Sequence, residues 1–426
     1  MQRHRRLSTG FLTASLVVSA LASVAVTPAG GSTQQVAASA VVSLPCAGST
    51  PVVSGGRVFV TTSAVSLVYK PGSCETSALF AFDESGTPLW HHHFSEAARV
   101  VFASEPVVGA GLVAVNLGFS GSGDVYAGQL RAFSPTTGTH LWSDQFDGSS
   151  GPVTFADGTF FTTAQFANGC CQEGDWVAGV RADRTKPDLV DDAPGPSPSN
   201  PLVPVATGRG SAFVAERSPS PLKVGAFDET GTLGCQPTTM IGTQVLACDP
   251  AWSAAVPGSE LTSVAVSGGN LIATSYDDSS SAGIITGFNA NGCESAICSP
   301  LWRGSLPHIT WPQIATSPAA VFASSGNSLV AFASSGCASR PCRPTWSAKS
   351  ASRLGPPMVS GSMVLVGTRS GSVLGFPAAG CGTATCRPAF RLRVGAPVTT
   401  APAVADGRVF VTDALGHLSI FPLPRP

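Results

Sequence analysis

Apolar and small or polar residues alternate in short runs from about residue 41 to the end of the chain. Arg57-Val58-Phe59-Val60, Leu79-Phe80-Ala81-Phe82, Arg408-Val409-Phe410-Val411 and Leu418-Ser419-Ile420-Phe421 are representative. A period of two over four to six positions is that of a β-strand with one face buried, and the Gly-rich steps between runs mark the turns. No stretch after residue 40 keeps a helical period for three turns, so the fold class is all-β. The strands come in sets with one grammar. A small-residue start leads to a Val/Phe-rich strand, a loop, a strand ending in an apolar-aromatic pair, a turn, and a strand that opens on Trp.

That last step recurs on a ruler. Ala81 to Trp90, Ala132 to Trp142, Ala226 to Trp252, Gly287 to Trp302 and Ala331 to Trp346 each run from the pair to a tryptophan, and Gly375 to Phe390 puts Phe in its place. Between successive aromatics, Trp90, Trp142, Trp252, Trp302, Trp346 and Phe390, the intervals are 52, 110, 50, 44 and 44 residues. The 110 is about two periods, so one degenerate copy lies inside it, where Gly179-Val180-Arg181-Ala182 replaces the pair and Trp is absent. Strand-bearing units of ~40–50 residues predict a β-propeller. Units starting near Thr50, Glu105, Gly151, Asn200, Leu261, Ile314, Gly355 and Thr399 give eight four-stranded antiparallel blades, or seven if the short unit at 314–350 is over-split. The eighth unit ends before its fourth strand. Since an unpaired edge invites aggregation, the spare strand Ala40 to Leu44 is expected to complete it and close the ring. The aromatics themselves are expected to pack between blades.

The first 40 residues read as export machinery. Arg3, Arg5 and Arg6 precede an apolar run of about 16 residues, Phe11 to Val26, followed by small residues. This predicts a signal peptide and disordered N-terminus over 1–40, cleaved between 22 and 40, with the propeller over 41–426. The run is short of the ~20 residues that a spanning helix needs, and the mature chain is expected to be secreted, with surface tethering as the alternative. Charged residues are 12% and the net charge is −1, which excludes an electrostatic nucleic-acid binder, and no later stretch could span a membrane. A monomer with a protein or glycan partner is expected.

Twelve cysteines in an exported chain point to disulfides. Cys293 and Cys298, Cys337 and Cys342, and Cys381 and Cys386 share one spacing between the pair and the next aromatic, and Cys235 and Cys248 occupy the same place with a longer insert. Zinc needs four ligands brought together, and these pairs fall in different blades, so four hairpin disulfides are expected.

Ala132-Phe133-Ser134-Pro135-Thr136-Thr137-Gly138-Thr139-His140-Leu141-Trp142 resembles the repeat of the pyrroloquinoline-quinone (PQQ) dehydrogenase-like propellers, A-x-D-x-x-T-G-x-x-x-W, with Ser134 replacing Asp. Ala81 to Trp90 is similar, retains Asp83 and Gly86, and is one residue shorter. The resemblance covers roughly residues 41–426 and implies the fold. It leaves activity open, because that family holds quinoprotein dehydrogenases and non-enzymatic scaffolds alike. Members that use the quinone stack it on a vicinal disulfide. Cys170-Cys171 is the matching candidate, with Glu173 and Asp175 nearby, on the face that carries the inter-blade connections. Cys46 and Cys74 fall on that face too and can pair, leaving 170 and 171 to each other. The family's Ca²⁺ ligands and catalytic Asp have no match here, so PQQ and Ca²⁺ stand as the alternative to a chain without cofactor.

One further candidate comes from the residues alone. In His91-His92-His93, alternation sends His91 and His93 to one side of the strand, and two imidazoles there could hold a metal. No Cys, Asp or Glu at suitable spacing completes the set, Glu96 being the nearest acid, and a solvated outer edge is the plainer expectation. There is no G-x-S-x-G elbow, P-loop or calcium-loop pattern. The leading expectation is a non-catalytic binding or scaffold propeller acting through its axial funnel and loop face; the rival is a secreted quinoprotein-type oxidoreductase.

Overall fold

Each repeat becomes one antiparallel blade, and eight of them form an eight-bladed β-propeller. The computed structural model describes residues 33–424 except 64–76, 95–98, 121–125, 148, 166–174, 185–187, 192–202, 217–221, 241–242, 280–281, 308–311 and 338–340. Blade one shows the plan: Val52–Ser54 innermost, then Arg57–Thr62, Ala78–Asp83 and the outer strand Pro88–His93. Blades five, six and seven repeat it, ending in the outer strands Trp302–Leu306, Trp346–Lys349 and Phe390–Arg393. The unit at 314–350 is a full blade, so the seven-bladed alternative falls. No helix among the described residues is long and apolar enough to cross a membrane.

The ring closes as the sequence grammar requires. Ala40–Ser43 pairs antiparallel with His417–Pro422, Ala40 opposite Ile420 and Ser43 opposite His417, and so supplies the fourth strand of blade eight. Ser39 N–H donates to Ile420 O (2.7 Å) and Leu44 N–H to Gly416 O (2.6 Å) at the two ends of that ladder. The segment upstream, placed by the sequence reading in a disordered leader, is also a strand: Gln34–Val36 runs parallel to Phe390–Arg393 of blade seven. The cleavage expected between 22 and 40 falls largely outside the described residues.

The degenerate third repeat departs most from plan. Its outer strand Asp188–Asp191 pairs with Asp175–Arg181 at two positions. Blade four compensates: the long insert before Trp252 folds into a hairpin, Cys235–Met240 and Thr243–Cys248, which leaves its own blade and extends blade three to six strands.

Cores lie between blades. Phe59, Leu79 and Ala81 of blade one pack with Val113, Val115, Leu117 and Phe133 of blade two, and Val58, Val60 and Phe82 pack with Leu44, Phe410, Leu418 and Ile420 across the closure. Phe59, Phe213, Phe322 and Phe410, at matching places in the second strands, are wholly buried. Period-two alternation explains this: each blade has two faces, both covered by neighbours, and the Val/Phe-rich strands serve both.

Candidate functional site

The aromatic ruler couples neighbouring blades on the face that carries the hairpin turns. Trp90 Nε1–H donates to Pro135 O of the next blade (3.1 Å), Trp302 to Ser334 O (3.3 Å) and Trp346 to Ala378 O (3.2 Å). The three acceptors hold one position, two residues past the apolar-aromatic pair. The turn glycine of the next repeat receives the same ring. A Cβ on Gly138, Gly292, Gly336 or Gly380 would fall less than 3.0 Å from Trp90, Trp252, Trp302 or Trp346 respectively, and each of these glycines has positive φ. The repeat's aspartate caps its own turn. Asp83 Oδ1 accepts from Ser85 N and Oγ and from Thr87 N, and the Ser85 hydroxyl foremost lowers its pKa to about 2. Burial pushes the Asp228 carboxyl up, yet the Leu233 and Thr232 amides and the Thr230 and Thr232 hydroxyls bring it below its ordinary value. The A-x-D-x-x-T-G-x-x-x-W elements are therefore structural fittings. Where the third repeat lacks them, the coupling fails: Trp142 Nε1 is buried with no acceptor among the described residues, and Arg184 covers the ring instead while its Nη1 pairs with Asp144 (2.6 Å).

The opposite face, where connections cross from one blade to the next, holds a different network. The second strand of six blades carries a buried polar residue past its apolar core positions: Thr61, Asn116, Thr162, Thr274, Ser324 and Thr412. Around the closure these stitch blade to blade. Thr412 Oγ1 donates to Ser49 O (2.7 Å), Thr61 Oγ1 to Ser104 O (2.7 Å) and Asn116 Nδ2 to Gly151 O (3.1 Å). Beside Ser49 and Ser104 stand Thr50 and Glu105, whose side chains are hydrogen-bonded to each other across blades one and two. Glu105 is crowded by protein yet keeps solvent access. Crowding raises its pKa, and the Thr50 hydroxyl and amide oppose that rise. Asn116 Oδ1 and Thr62 Oγ1 are buried close by in sequence without a hydrogen-bond partner among the described residues. This face can offer the Glu105 carboxyl and the Thr50 hydroxyl to a polar ligand. The sequence reading used Glu105 only to mark a blade; the signal for it was the polar residue before proline in Thr50-Pro51 and Glu105-Pro106.

The named candidates distribute as follows. Cys170, Cys171 and Glu173 lie outside the described residues, and Asp175 is described only as the first residue of its strand. Cys46 is disulfide-bonded, and its expected partner Cys74 lies outside the described residues. Disulfides join Cys235 to Cys248, Cys293 to Cys298, Cys337 to Cys342 and Cys381 to Cys386. His91 and His93 share the exposed side of the outer strand of blade one, ring centroids 4.9 Å apart and edge-on, above Phe80. His92 turns the other way, against Phe94 and Phe133. No three of His, Cys, Asp and Glu gather as a metal-ligating group among the described residues.

No family model and no curated protein matches the sequence. Solved structures do match in fold. The computationally designed Ika8 protein aligns at TM-score 0.60 and 13% identity, over 91% of this chain and 99% of that one. BamB from Moraxella catarrhalis aligns at TM-score 0.57 and 14% identity, over 91% and 98%. The quinohemoprotein alcohol dehydrogenase ADHIIG from Pseudomonas putida HK5 aligns at TM-score 0.50 and 11% identity, over 93% of this chain and 78% of that one.

Proposed function

We propose that the chain is an exported binding or scaffold propeller whose partner, a protein or a glycan, docks on the crossover face around Thr50 and Glu105. The observation that supports this is the division of labour between faces. On the turn face the recurrent Trp, Gly and Asp residues are committed to joining blades or capping their own turns, whereas the crossover face keeps a solvent-reachable carboxyl at Glu105, bonded across blades to Thr50. Whole-chain likeness to BamB, which covers 98% of that chain, is compatible with such a role, although one fold serves many functions. The four hairpin disulfides, with Cys46 bonded too, fit an oxidising compartment.

A PQQ–Ca²⁺ site asks for convergent acids and a stacking platform. Among the described residues no second acid faces Glu105 and no three-ligand group forms, so the described donor set does not fit the pair. The test is direct. Glu105→Arg should abolish capture of a partner that the wild-type protein reproducibly retains from secreted or envelope material. PQQ- and Ca²⁺-dependent dye reduction with alcohols or aldoses, lost on chelation, would overturn the scaffold reading in favour of the oxidoreductase.

A further inference from the structure

Among the described residues, five outer strands have their free edge covered, all in the same way. A short extended segment runs parallel along each. Blade three is covered by Thr243–Cys248, blade four by Ile297–Cys298, and blade seven by Gln34–Val36. Parallel bridges do the same for blade five, Gly304 to Cys342, and blade six, Ser347 to Thr385. For blades three to six the cover comes from the following blade, out of the loop that a disulfide closes.

The register of these covers is constant. The second cysteine stands four residues before the aromatic of its own blade, as Cys298 does before Trp302, Cys342 before Trp346 and Cys386 before Phe390. The residue just after the covered blade's aromatic makes the edge bonds. Ser253 N–H donates to Ala296 O (2.8 Å), Cys342 N–H to Arg303 O (2.7 Å), Ser347 N–H to Ala384 O (2.9 Å) and Cys386 N–H to Ser347 O (2.7 Å). The N-terminal segment obeys the same rule without a cysteine. Ala40 holds the place of blade eight's aromatic, opposite Ile420, and Val36, four residues before it, stands opposite Leu392. The residue at the cysteine position is buried in four covers, at Cys248, Cys298, Cys342 and Cys386.

Blades eight and one lack this cover among the described residues. The reason is the turn that follows. Blades one and two join their third and fourth strands by the tight turns Asp83 to Thr87 and Ser134 to Thr139, too short to reach back along the preceding edge. The N–H of His91, like that of Ser347, points out of the sheet, since the two strands pair alike onto their third strands, Trp90 opposite Ala81 and His91 opposite Phe80 as Trp346 is opposite Ala331 and Ser347 opposite Val330. Among the described residues neither Val41 nor His91 makes an edge bond. Val41 and Leu89 are 58% and 46% exposed on these strands. An open edge of this kind is what strand addition uses: main-chain bonds give the affinity, and alternate side chains give the selectivity.

We propose that the outer edge of blade one, Pro88–His93, is a docking site for an extended segment of a partner protein. The segment binds parallel to the strand, exchanges main-chain hydrogen bonds with His91, and places an apolar residue opposite His92, where the internal covers place Cys or Val. The site is distinct from the crossover face, so either can fail without the other. A suitable probe is the protein's own cover for blade seven as a synthetic peptide, acetyl-TQQVAAS-amide, spanning residues 33–39.

The peptide is expected to bind the full-length exported chain in the millimolar range, as a few solvent-exchanging main-chain bonds allow. At ten times its Kd it should slow exchange of the His91 amide about tenfold, with no comparable slowing at Ser347, whose edge is already covered. His91→Pro removes the outward N–H at an edge position that accepts proline and should abolish binding of the labelled peptide. His91→Ala keeps the backbone donor and should bind within about twofold of wild type. Unslowed His91 exchange in the wild type at that concentration overturns the proposal, as does equal binding by His91→Pro. Self-association that His91→Pro abolishes would assign the edge to a second copy and overturn it too.

Discussion

Leu44 tests the closure of the ring at one side chain. It follows the closing strand directly, its N–H is bonded to Gly416 O, and its side chain is 8% exposed in a cluster with Val58, Val60, Phe82, Phe410, Leu418 and Ile420. Those partners come from blades one and eight, so Leu44 is a rivet through the seam. Leu44→Ala leaves a cavity there and should cost about 2–5 kcal/mol. With ~2 °C lost per kcal/mol, the low end for large domains, the thermal midpoint should fall by roughly 4–10 °C. Val41, three residues away on the same strand, points outward at 58% exposure, and Val41→Ala should move stability by no more than ~0.5 kcal/mol. Removing residues 33–46 goes further: it strips the fourth strand from blade eight and the cover from blade seven. Burial of each large apolar side chain is worth ~1.5–3 kcal/mol and total stability is ~5–15 kcal/mol, so the truncated protein should unfold tens of degrees earlier or fail to accumulate. Differential scanning calorimetry of the protein reads all three. A truncated protein with an unchanged midpoint, or equal effects of Leu44→Ala and Val41→Ala, would show that the N-terminal strand does not close the ring.

Other consequences follow from the turns and covers. Gly336→Ala places a methyl group against Trp302 at φ +79° and should cost more than the ~1–2 kcal/mol of left-handed strain alone, whereas Gly361→Ala, with φ +54° and open space around it, should cost only that strain; urea denaturation separates the two. The Asp83 carboxyl is held at about 2, below its ordinary range of ~3.9. Its stabilisation is therefore present above pH ~4 and lost as pH falls toward 2, and the midpoints of wild type and Asp83→Ala should converge over that interval. Glu84 shows the opposite sign. Burial, and then the neighbouring Asp406 carboxyl, raise its pKa, so its charged form opposes folding as pH rises past ~4.3. Glu84→Gln should raise the midpoint at pH 7 and leave it unchanged near pH 3. Cys337→Ser with Cys342→Ser should cost about 2 kcal/mol on loop entropy, and limited proteolysis should then cut near 337–342 while the other cysteine loops stay intact.

How much of this the sequence revealed depends on whether a feature is local. The Trp ruler, the paired cysteines and the missing fourth strand of the last unit are local periodicities, and the blade count and the closing strand follow from them because a ring leaves one solution. His91 and His93 share a side because strands alternate. The functions of the cysteine loops were not legible in the same way. Spacing places Cys342 and Cys386 in hairpins of their own blades, and only the three-dimensional register shows that they lie along the preceding blade's edge. The same holds for Gln34–Val36, whose sequence, Gln-Gln-Val, has no strand period to read. It becomes a strand because Val36 falls in the slot that the cysteines fill elsewhere. Glu105 and Thr50 were likewise invisible as a pair, being 55 residues apart and joined by blade adjacency alone. A repeat protein thus writes its architecture into each repeat but writes its sites into the differences between repeats. In this chain those differences, tight turns without covers and polar residues before proline, converge on blades eight, one and two. The seam of the ring therefore carries both candidate surfaces, the open edge at His91 and the carboxyl at Glu105.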